Sequence, residues 1–273
     1  MICDCCGPDD DRRQGLTIYF SPGYVPRTVP LMAEAFATDP ILTYLLPHMT
    51  PTQFTAYLPK FFDSLLGAAA MNEGIFTEAN DFSSCTILMP PGCHVDNLWT
   101  LLPADFIGMV WGMGVKATYR MLGELGPKTD AVKLKALHGQ KKYYYIFFTA
   151  THAKVRCRGL CSKIIKEIQA KAQKDGLRVW IEDTTENSAS VYAKCGFELV
   201  ENIEVGEGLA DTDGKFEKDG ESVTTRGMVW WPKGQDEKKL YPVVEKGRGN
   251  WVAGTVLSVI SLVLAVYVAL YLV

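Results

Sequence analysis

The sequence lacks the charge excess and the targeting signal that mark several classes of protein. Its 273 residues contain 28 Lys and Arg against 31 Asp and Glu, a net charge of −3, so it has no basic footprint of a nucleic-acid-binding protein. The N-terminal MICDCCGPDDDRR has no apolar core of a signal peptide, and we expect the folded body to stay in the reducing cytosol. With 48% hydrophobic and 22% charged residues, the composition is that of a globular protein with a full core.

Spacings typical of metal and nucleotide sites are missing as well. Cys157 and Cys161 form one C-x3-C pair, but no second cysteine pair follows at zinc-site spacing, and the four histidines are scattered. We therefore predict no metal. There is neither the Gly-Lys-Ser/Thr of a P-loop nor a Gly-x-Gly-x-x-Gly run. Residues 1–15 are predicted to be a disordered tail, and palmitoylation or metal binding at Cys3, Cys5 and Cys6 is the alternative.

The longest hydrophobic run lies at residues 251–273, WVAGTVLSVISLVLAVYVALYLV, which contain no charge. Its 23 residues, at about 1.5 Å each, are long enough to cross a hydrocarbon core about 30 Å thick. Trp251 would lie at one interface, and Lys246 and Arg248 would flank it on the cytosolic side. We predict a single-pass tail anchor with the folded domain in the cytosol, at the endoplasmic reticulum by default. A buried globular helix is the alternative.

Residues 16–231 are predicted to form one α/β (α+β) domain with a mixed central sheet, and the charged residues 232–250 a linker to the anchor. Turn signals bound a first strand from Leu16 and two strands joined through Asn80-Asp81. Asp39-Pro40 is expected to break a helical stretch. Further on, the order is aromatic strand, Arg-rich loop, amphipathic helix, strand, a short helix capped by Asn187, and two closing strands.

The Arg-rich loop, KVRCRGLCSKII, predicts an anion site made of main-chain groups. A helix that starts directly after a strand presents successive backbone N–H groups, and the positive end of its dipole, to a bound anion. Gly159 permits a close approach of the backbone, and Arg156 and Arg158 add charge. The pattern therefore favours a phosphate or pyrophosphate cradle over a redox or zinc site at Cys157 and Cys161.

Two motifs resemble those of the GNAT superfamily of N-acetyltransferases. The stretch HAKVRCRGLCS is similar to motif A, Gln/Arg-x-x-Gly-x-Gly/Ala, at Arg156, Gly159 and Cys161. The stretch NSASVYAKCGF, about 35 residues further on, resembles motif B at Tyr192 and Gly196-Phe197. Together they imply the GNAT fold, in which strands four and five splay apart, and acetyl-CoA as cosubstrate.

The resemblance also implies the roles of individual residues. The end of strand four would pair its main chain with the pantetheine arm of CoA, and a backbone N–H near Ala150 would polarise the thioester carbonyl. Tyr192 matches the tyrosine that protonates the departing thiolate in many members; a core aromatic is the alternative. Residues implied to contact CoA are Phe148, Thr149, Ala150, Thr151, Arg156, Cys157, Arg158, Gly159, Leu160, Cys161, Ser162 and Asn187.

Two departures from the family pattern affect these expectations. Cysteine stands at positions 157 and 161, where many members have glycine, and a φ above zero at either would strain the backbone. Strand four supplies no carboxylate, so we take Glu182 on strand five as the first candidate for the general base. A base acting through water, His152, and a purely solvent-facing or capping Glu182 are the alternatives.

The sequence thus predicts a cytosol-facing, membrane-anchored N-acetyltransferase that transfers an acetyl group from acetyl-CoA to an amine. Residues 94–126 are amphipathic, and Asp105 and Lys116 argue against a second membrane span. The same stretch is a candidate wall of the acceptor site, whose Trp99 and Trp111 suggest an apolar or amphiphilic amine, although packing explains them equally well. The rival interpretation is a membrane-tethered domain of the same fold that binds CoA, or contacts proteins, without catalysis.

Overall fold

The computed structural model describes residues 16–19, 22–95 and 98–234. The predicted tail at 1–15, most of the predicted linker, and the predicted anchor at 251–273 lie outside these residues. Within the described part, no helix combines the length and the apolar character needed to cross a membrane.

A seven-stranded mixed sheet forms the centre of the structure, in the order β1-β2-β3-β4-β5-β7-β6. Only β4 and β5 run parallel, and the other neighbours are antiparallel. Every residue of β2 and β3 is buried, because helices cover both faces of the sheet. The strands are β1 Leu16–Tyr19, β2 Ile75–Ala79, β3 Ser84–Met89, β4 Tyr144–Thr151, β5 Val179–Asp183, β6 Glu198–Val205 and β7 Val223–Trp230.

The helices divide between the two faces of the sheet. One face packs against α1, α2, α3 and α5 in a large apolar cluster, and the other packs against α7 and α8. A π-helical turn at Arg120–Leu125 joins α5 to α6. The helices are α1 Val25–Ala35, α2 Pro40–Leu45, α3 Pro51–Met71, α4 Leu98–Leu101, α5 Phe106–Tyr119, α6 Gly126–Ala136, α7 Leu160–Asp175 and α8 Glu186–Lys194.

Local signals explain most helix boundaries. The predicted break at Asp39-Pro40 is confirmed: Asp39 caps α2 through a 2.9 Å bond from the Leu42 N–H, with Pro40 at the first helical position. The predicted cap of the short helix is wrong. Thr185 caps α8, since its hydroxyl accepts from Ser188 N at 3.3 Å, and Asn187 lies inside the first turn. Thr185 has the extended backbone that a cap requires.

The sheet opens between β4 and β5. The two strands pair at only three positions, from Tyr144 opposite Val179 to Ile146 opposite Ile181. At the next position the β3–β4 register shifts, so that Ile87 faces Phe148 while Leu88 faces Ile146. An extra residue of this kind bends a strand and increases its twist. Residues 147–151 of β4 therefore diverge from β5 and leave a cleft, as the predicted splay requires.

Candidate active site

The loop after β4 builds the predicted cradle from main-chain groups. Gly159 is the N-cap residue of α7, with φ 75° and ψ 4° in the left-handed region, which glycine reaches without strain. The N–H groups of Leu160, Cys161 and Ser162 open the helix, where no preceding turn supplies acceptors. The positive end of the helix dipole lies at the same place, eight residues after the end of β4.

The cradle fits a phosphate-bearing ligand. A Cβ placed on Gly159 would meet no atom of the protein within 4 Å, so the space in front of the helix is open. Arg156 and Arg158 are exposed beside it. The Arg156 Nε donates to the carbonyl of Thr151 at 3.3 Å, which ties the loop to the end of β4. Open main-chain donors with two adjacent cations are the donor set that a pyrophosphate needs.

The two cysteines of this loop have different environments. Cys157 is exposed and has φ 62°. This is the left-handed backbone conformation that many family members reach with glycine and that strains a residue with a Cβ. Cys161 lies in the first turn of α7, where its Sγ is 3.9 Å from the Thr149 hydroxyl and burial raises its pKa to about 11. Cys161 is a free thiol. Among the described residues, no group of three or more His, Cys, Asp or Glu could hold a metal ion.

The end of β4 has one paired edge and one edge on the cleft. On the β3 side, the Thr149 and Thr86 hydroxyls lie 2.6 Å apart, and those of Thr151 and Ser84 lie 2.9 Å apart. Ala150 is buried opposite Cys85. Because β5 has turned away, the other main-chain edge of residues 147–151 faces the cleft, where an extended ligand chain could add as a strand.

An aromatic cluster lies on the helical side of this strand. The Phe148 ring packs against Phe36 of the α1 end and Phe62 of α3, with centroids 5.5 and 5.3 Å away. Phe147 packs on Phe148 with a centroid distance of 4.4 Å. These rings make the wall of the cleft apolar at the point where β4 leaves β5.

Tyr192 lies in α8, on the sheet face that carries α7. It is 3% exposed, its ring centroid is 5.8 Å from that of Phe197, and no hydrogen bond of its hydroxyl occurs within the described residues. Burial, and then the neighbouring Cys161 and Asp183, raise its pKa well above the ordinary value. The phenol is therefore neutral. The packing of Tyr192 on Phe197 is also that of a core aromatic residue.

The other candidate residues from the sequence are either bonded to neighbouring side chains or exposed to solvent. The Glu182 carboxylate lies 3.1 Å from Lys133 Nζ and accepts from Trp180 Nε1 at 2.6 Å. His152 follows β4 directly, with its Nε2 3.2 Å from a Glu34 oxygen. Asn187 is exposed on α8.

Two buried carboxyls that the sequence did not identify as candidate catalytic groups lie near the end of β5. Asp183 is 3% exposed, and its Oδ2 is buried without a hydrogen-bond partner in the described part of the chain. Burial raises its pKa to about 6, and the nearby Asp39 carboxylate adds to the rise. Asp39 is 5% exposed, and its Oδ2 accepts from the Thr184 hydroxyl at 2.5 Å. Burial raises the pKa of Asp39 as well. We call Asp39 and Asp183 the carboxylate pair.

Comparison with known proteins agrees with this geometry. Residues 98–197 match the model of the acetyltransferase (GNAT) family, a range that spans the cradle, the cleft and Tyr192. The described part of the chain has the mixed α/β fold of that class, and residues 98–197 are similar to its acetyltransferase domain.

Individual relatives are distant. An uncharacterised N-acetyltransferase of Schizosaccharomyces pombe is 21% identical over 63% of this chain and 70% of its own. Among solved structures, an acetyltransferase from Corynebacterium glutamicum described as related to a histone acetyltransferase aligns with a TM-score of 0.50, at 17% identity over 80% of this chain and 96% of its own. A putative arylalkylamine N-acetyltransferase of the yellow fever mosquito aligns with a TM-score of 0.51, at 13% identity over 77% of this chain and 84% of its own. The two structural likenesses establish the fold.

Proposed function

We propose that the protein is an acetyl-CoA-dependent N-acetyltransferase that transfers the acetyl group to a primary amine by direct attack. One observation carries the proposal: β4 and β5 pair at only three positions, and beyond that pairing the main-chain cradle of α7 follows the end of β4, while Asp183 of the carboxylate pair is the last residue of β5. The cradle suits a pyrophosphate, and the carboxylate pair suits removal of a proton from an amine.

The cradle and the open edge of β4 would position the cosubstrate. N–H groups from residues 157–162 would bind the pyrophosphate, Arg156 and Arg158 would add charge, and the main chain of 148–151 would hold the pantetheine arm. When bound, acetyl-CoA supplies an activated thioester. Holding that group beside a bound amine turns a bimolecular step into an effectively unimolecular one.

The carboxylate pair would act as the proton acceptor, in preference to Glu182. The amine nitrogen forms a C–N bond to the carbonyl carbon, the C–S bond breaks, and the amine proton passes to the pair directly or through water. A carboxylate with a pKa near 6 is mostly ionised at neutral pH yet more basic than an ordinary one, which suits a general base. Tyr192, neutral and next to Asp183, would donate its proton to the leaving thiolate.

The aromatic wall supports an acceptor amine with an apolar body. Phe36 and Phe148, which are half-buried and packed on each other, would present ring surface beside the cleft, and apolar surface of this kind binds hydrocarbon or aryl groups. The uncharged segment 251–273 supports our further proposal that the domain is held on the cytosolic face of a membrane, by default the endoplasmic reticulum.

Turnover with a panel of primary amines tests the proposal. The full chain, in detergent, is mixed with acetyl-CoA and each amine, and release of free CoA thiol is followed beside the mass of the acetylated product. We expect thiol release that depends on an amine, and higher rates for amines with an apolar body than for short hydrophilic ones. Acetyl-CoA binding that raises the melting temperature, without turnover of any amine, would instead establish the non-catalytic alternative.

A further inference from the structure

Helix α5 is apolar on its outer side as well as on its inner side. Its inner side, Phe106, Met109, Val110, Met113 and Ala117, is buried against the core. On the outer side, Ile107, Trp111, Val115 and Tyr119 are 42%, 51%, 38% and 62% exposed. Lys116 is the single charged residue among the 14 of this helix. A helix that is apolar all round normally has both sides covered, by protein or by lipid.

Two more exposed apolar residues precede α5 in the chain. Trp99 of α4 is 86% exposed and Leu102, just after it, is 48% exposed. We call Trp99, Leu102, Ile107, Trp111, Val115 and Tyr119 the apolar face. A contiguous apolar surface of this kind on a soluble domain marks a site of interaction with protein or membrane.

This exposure does not come from a loosely placed helix. The Tyr57 hydroxyl of α3 donates to the carbonyl of Met109. A Cβ on Gly112 would lie 2.5 Å from the Tyr57 ring, so the two helices are in close contact there. The helix is interrupted at Gly114, with φ 78° and ψ 164°, and the residues on both sides of this kink present apolar side chains outward.

The composition of the apolar face points to lipid rather than to protein. Two Trp and one Tyr stand among its six residues, and these side chains prefer the headgroup level of a bilayer. Lys116 is exposed beside them and Lys60, near the start of α5, is exposed as well, as suits an anionic headgroup region. The same chain carries the uncharged residues 251–273, long enough to enter a bilayer. The domain would then be held within reach of a membrane surface.

We propose that the apolar face rests in the headgroup region of a phospholipid bilayer, with α4 and α5 lying along the membrane plane. An interfacial helix buries its apolar side by roughly 5–10 Å. The contact uses none of the residues to which the proposed function gives a role, and it does not depend on acetyl transfer. It gives the domain a defined orientation on the membrane that an anchor on a linker alone would not impose.

Site-specific photo-crosslinking of the full chain tests the proposal. The photoreactive residue p-benzoylphenylalanine replaces Trp111 in one protein and Leu199 in another, and each is reconstituted into phosphatidylcholine vesicles with a minor fraction of phosphatidylserine. Leu199 is a matched control, because it is an apolar residue of the edge strand β6 that is 54% exposed. If the protein with the probe at position 111 does not fold, the experiment is repeated with the probe in place of Tyr119, another residue of the apolar face.

After irradiation, we expect a mass shift of one phospholipid on the peptide that carries position 111 and no such shift on the peptide that carries position 199. Equal lipid adducts at both positions would overturn the proposal, as would the absence of lipid at 111. A cross-linked dimer would show that a second copy covers the face, and a cross-link to residues 251–273 would show that the chain covers it itself. A cross-linked dimer or a cross-link within the chain would also overturn the proposal of a lipid contact.

Discussion

The β4 side and the β5 side of the cleft are built from different chemical groups. On the β4 side, the cradle consists of main-chain N–H groups around Gly159, and the side chains next to it, such as Cys157 and Arg158, are exposed. On the β5 side, the carboxylate pair consists of buried side chains, with one carboxylate oxygen lacking a hydrogen bond in the described residues. A main-chain site tolerates changes of side chain, whereas a buried acid pair depends on both of its members. The two sides should therefore respond very differently to mutation.

The largest effect is expected on the β5 side. Asp183→Asn and Asp39→Asn each remove a member of the pair but keep its size, and the asparagine that replaces Asp39 can still cap α2. We expect kcat to fall by about 10²–10⁴-fold, the usual contribution of general acid–base catalysis. The control is Glu182→Gln, one residue away on the same strand, whose kcat per folded molecule should change by less than about tenfold. A larger loss in Glu182→Gln than in Asp183→Asn would transfer the role of the base to Glu182.

Tyr192→Phe should have the next largest effect. It removes one hydroxyl from a buried ring and leaves the packing on Phe197 in place. We expect kcat to fall by about 10²-fold through loss of the proton donor, while the Kd for acetyl-CoA, measured by calorimetry, stays the same. Unchanged kcat would assign Tyr192 to the core alone.

The ion pair of Glu182 should act on stability instead of catalysis. Burial opposes the charge on Lys133, but the Glu182 carboxylate 3.1 Å away more than offsets it and raises the pKa of the amine. Lys133→Met leaves Glu182 without this cation, and we expect the free energy of unfolding in urea to fall by about 3 kcal/mol. The double variant Lys133→Met with Glu182→Gln should recover most of the loss, because glutamine removes the unpaired charge and keeps an acceptor for the Trp180 Nε1. No recovery would mean that the pair contributes more than mutual charge compensation.

The smallest effect is expected in the cradle. Cys157→Gly removes a side chain from a residue at φ 62°, where a left-handed conformation costs about 1–2 kcal/mol for a residue with a Cβ. Part of this gain is offset by the greater flexibility of glycine in the unfolded chain, so stability should rise by about 0.5–1 kcal/mol. Cys161→Gly, within the first turn of α7, should lower stability. Acetyl-CoA should bind both variants, and a lost affinity in either would show that a thiol contributes to the site.

These two sides also differ in how far the sequence could predict them. The cradle needs only a strand, a glycine and a helix start within a few residues, so KVRCRGLCSKII was sufficient to place Gly159 and its N–H groups. The carboxylate pair joins Asp39 to the strand end through Thr184, 145 residues further along the chain, and no local pattern marks such a contact. In the sequence, Asp39 was recognisable only as the residue before Pro40, at which a helical stretch is expected to break.

Neighbouring residues on one strand explain the uncertainty over the base. Successive side chains of β5 point to opposite faces of the sheet, so Glu182 lies with Lys133 and Trp180 while Asp183 lies with Tyr192. Either carboxyl satisfies the sequence pattern, and only the packing determines which of them is desolvated. The wrong prediction of the α8 cap has the same cause. Several hydroxyl and amide residues in TTENS could cap the helix, and only the extended backbone of Thr185 identifies it as the cap.

The most direct test is the pH dependence of kcat, measured at saturating acetyl-CoA and amine for the wild type, Asp183→Asn and Glu182→Gln. The pair must be ionised to accept a proton, and burial places the pKa of Asp183 at about 6. The kcat of the wild type and of Glu182→Gln should therefore be constant above this pH and fall about tenfold for each pH unit below it. In Asp183→Asn this acid limb should be missing and the remaining rate low. The same limb near pH 6 in all three proteins would contradict the assignment of the carboxylate pair as the proton acceptor.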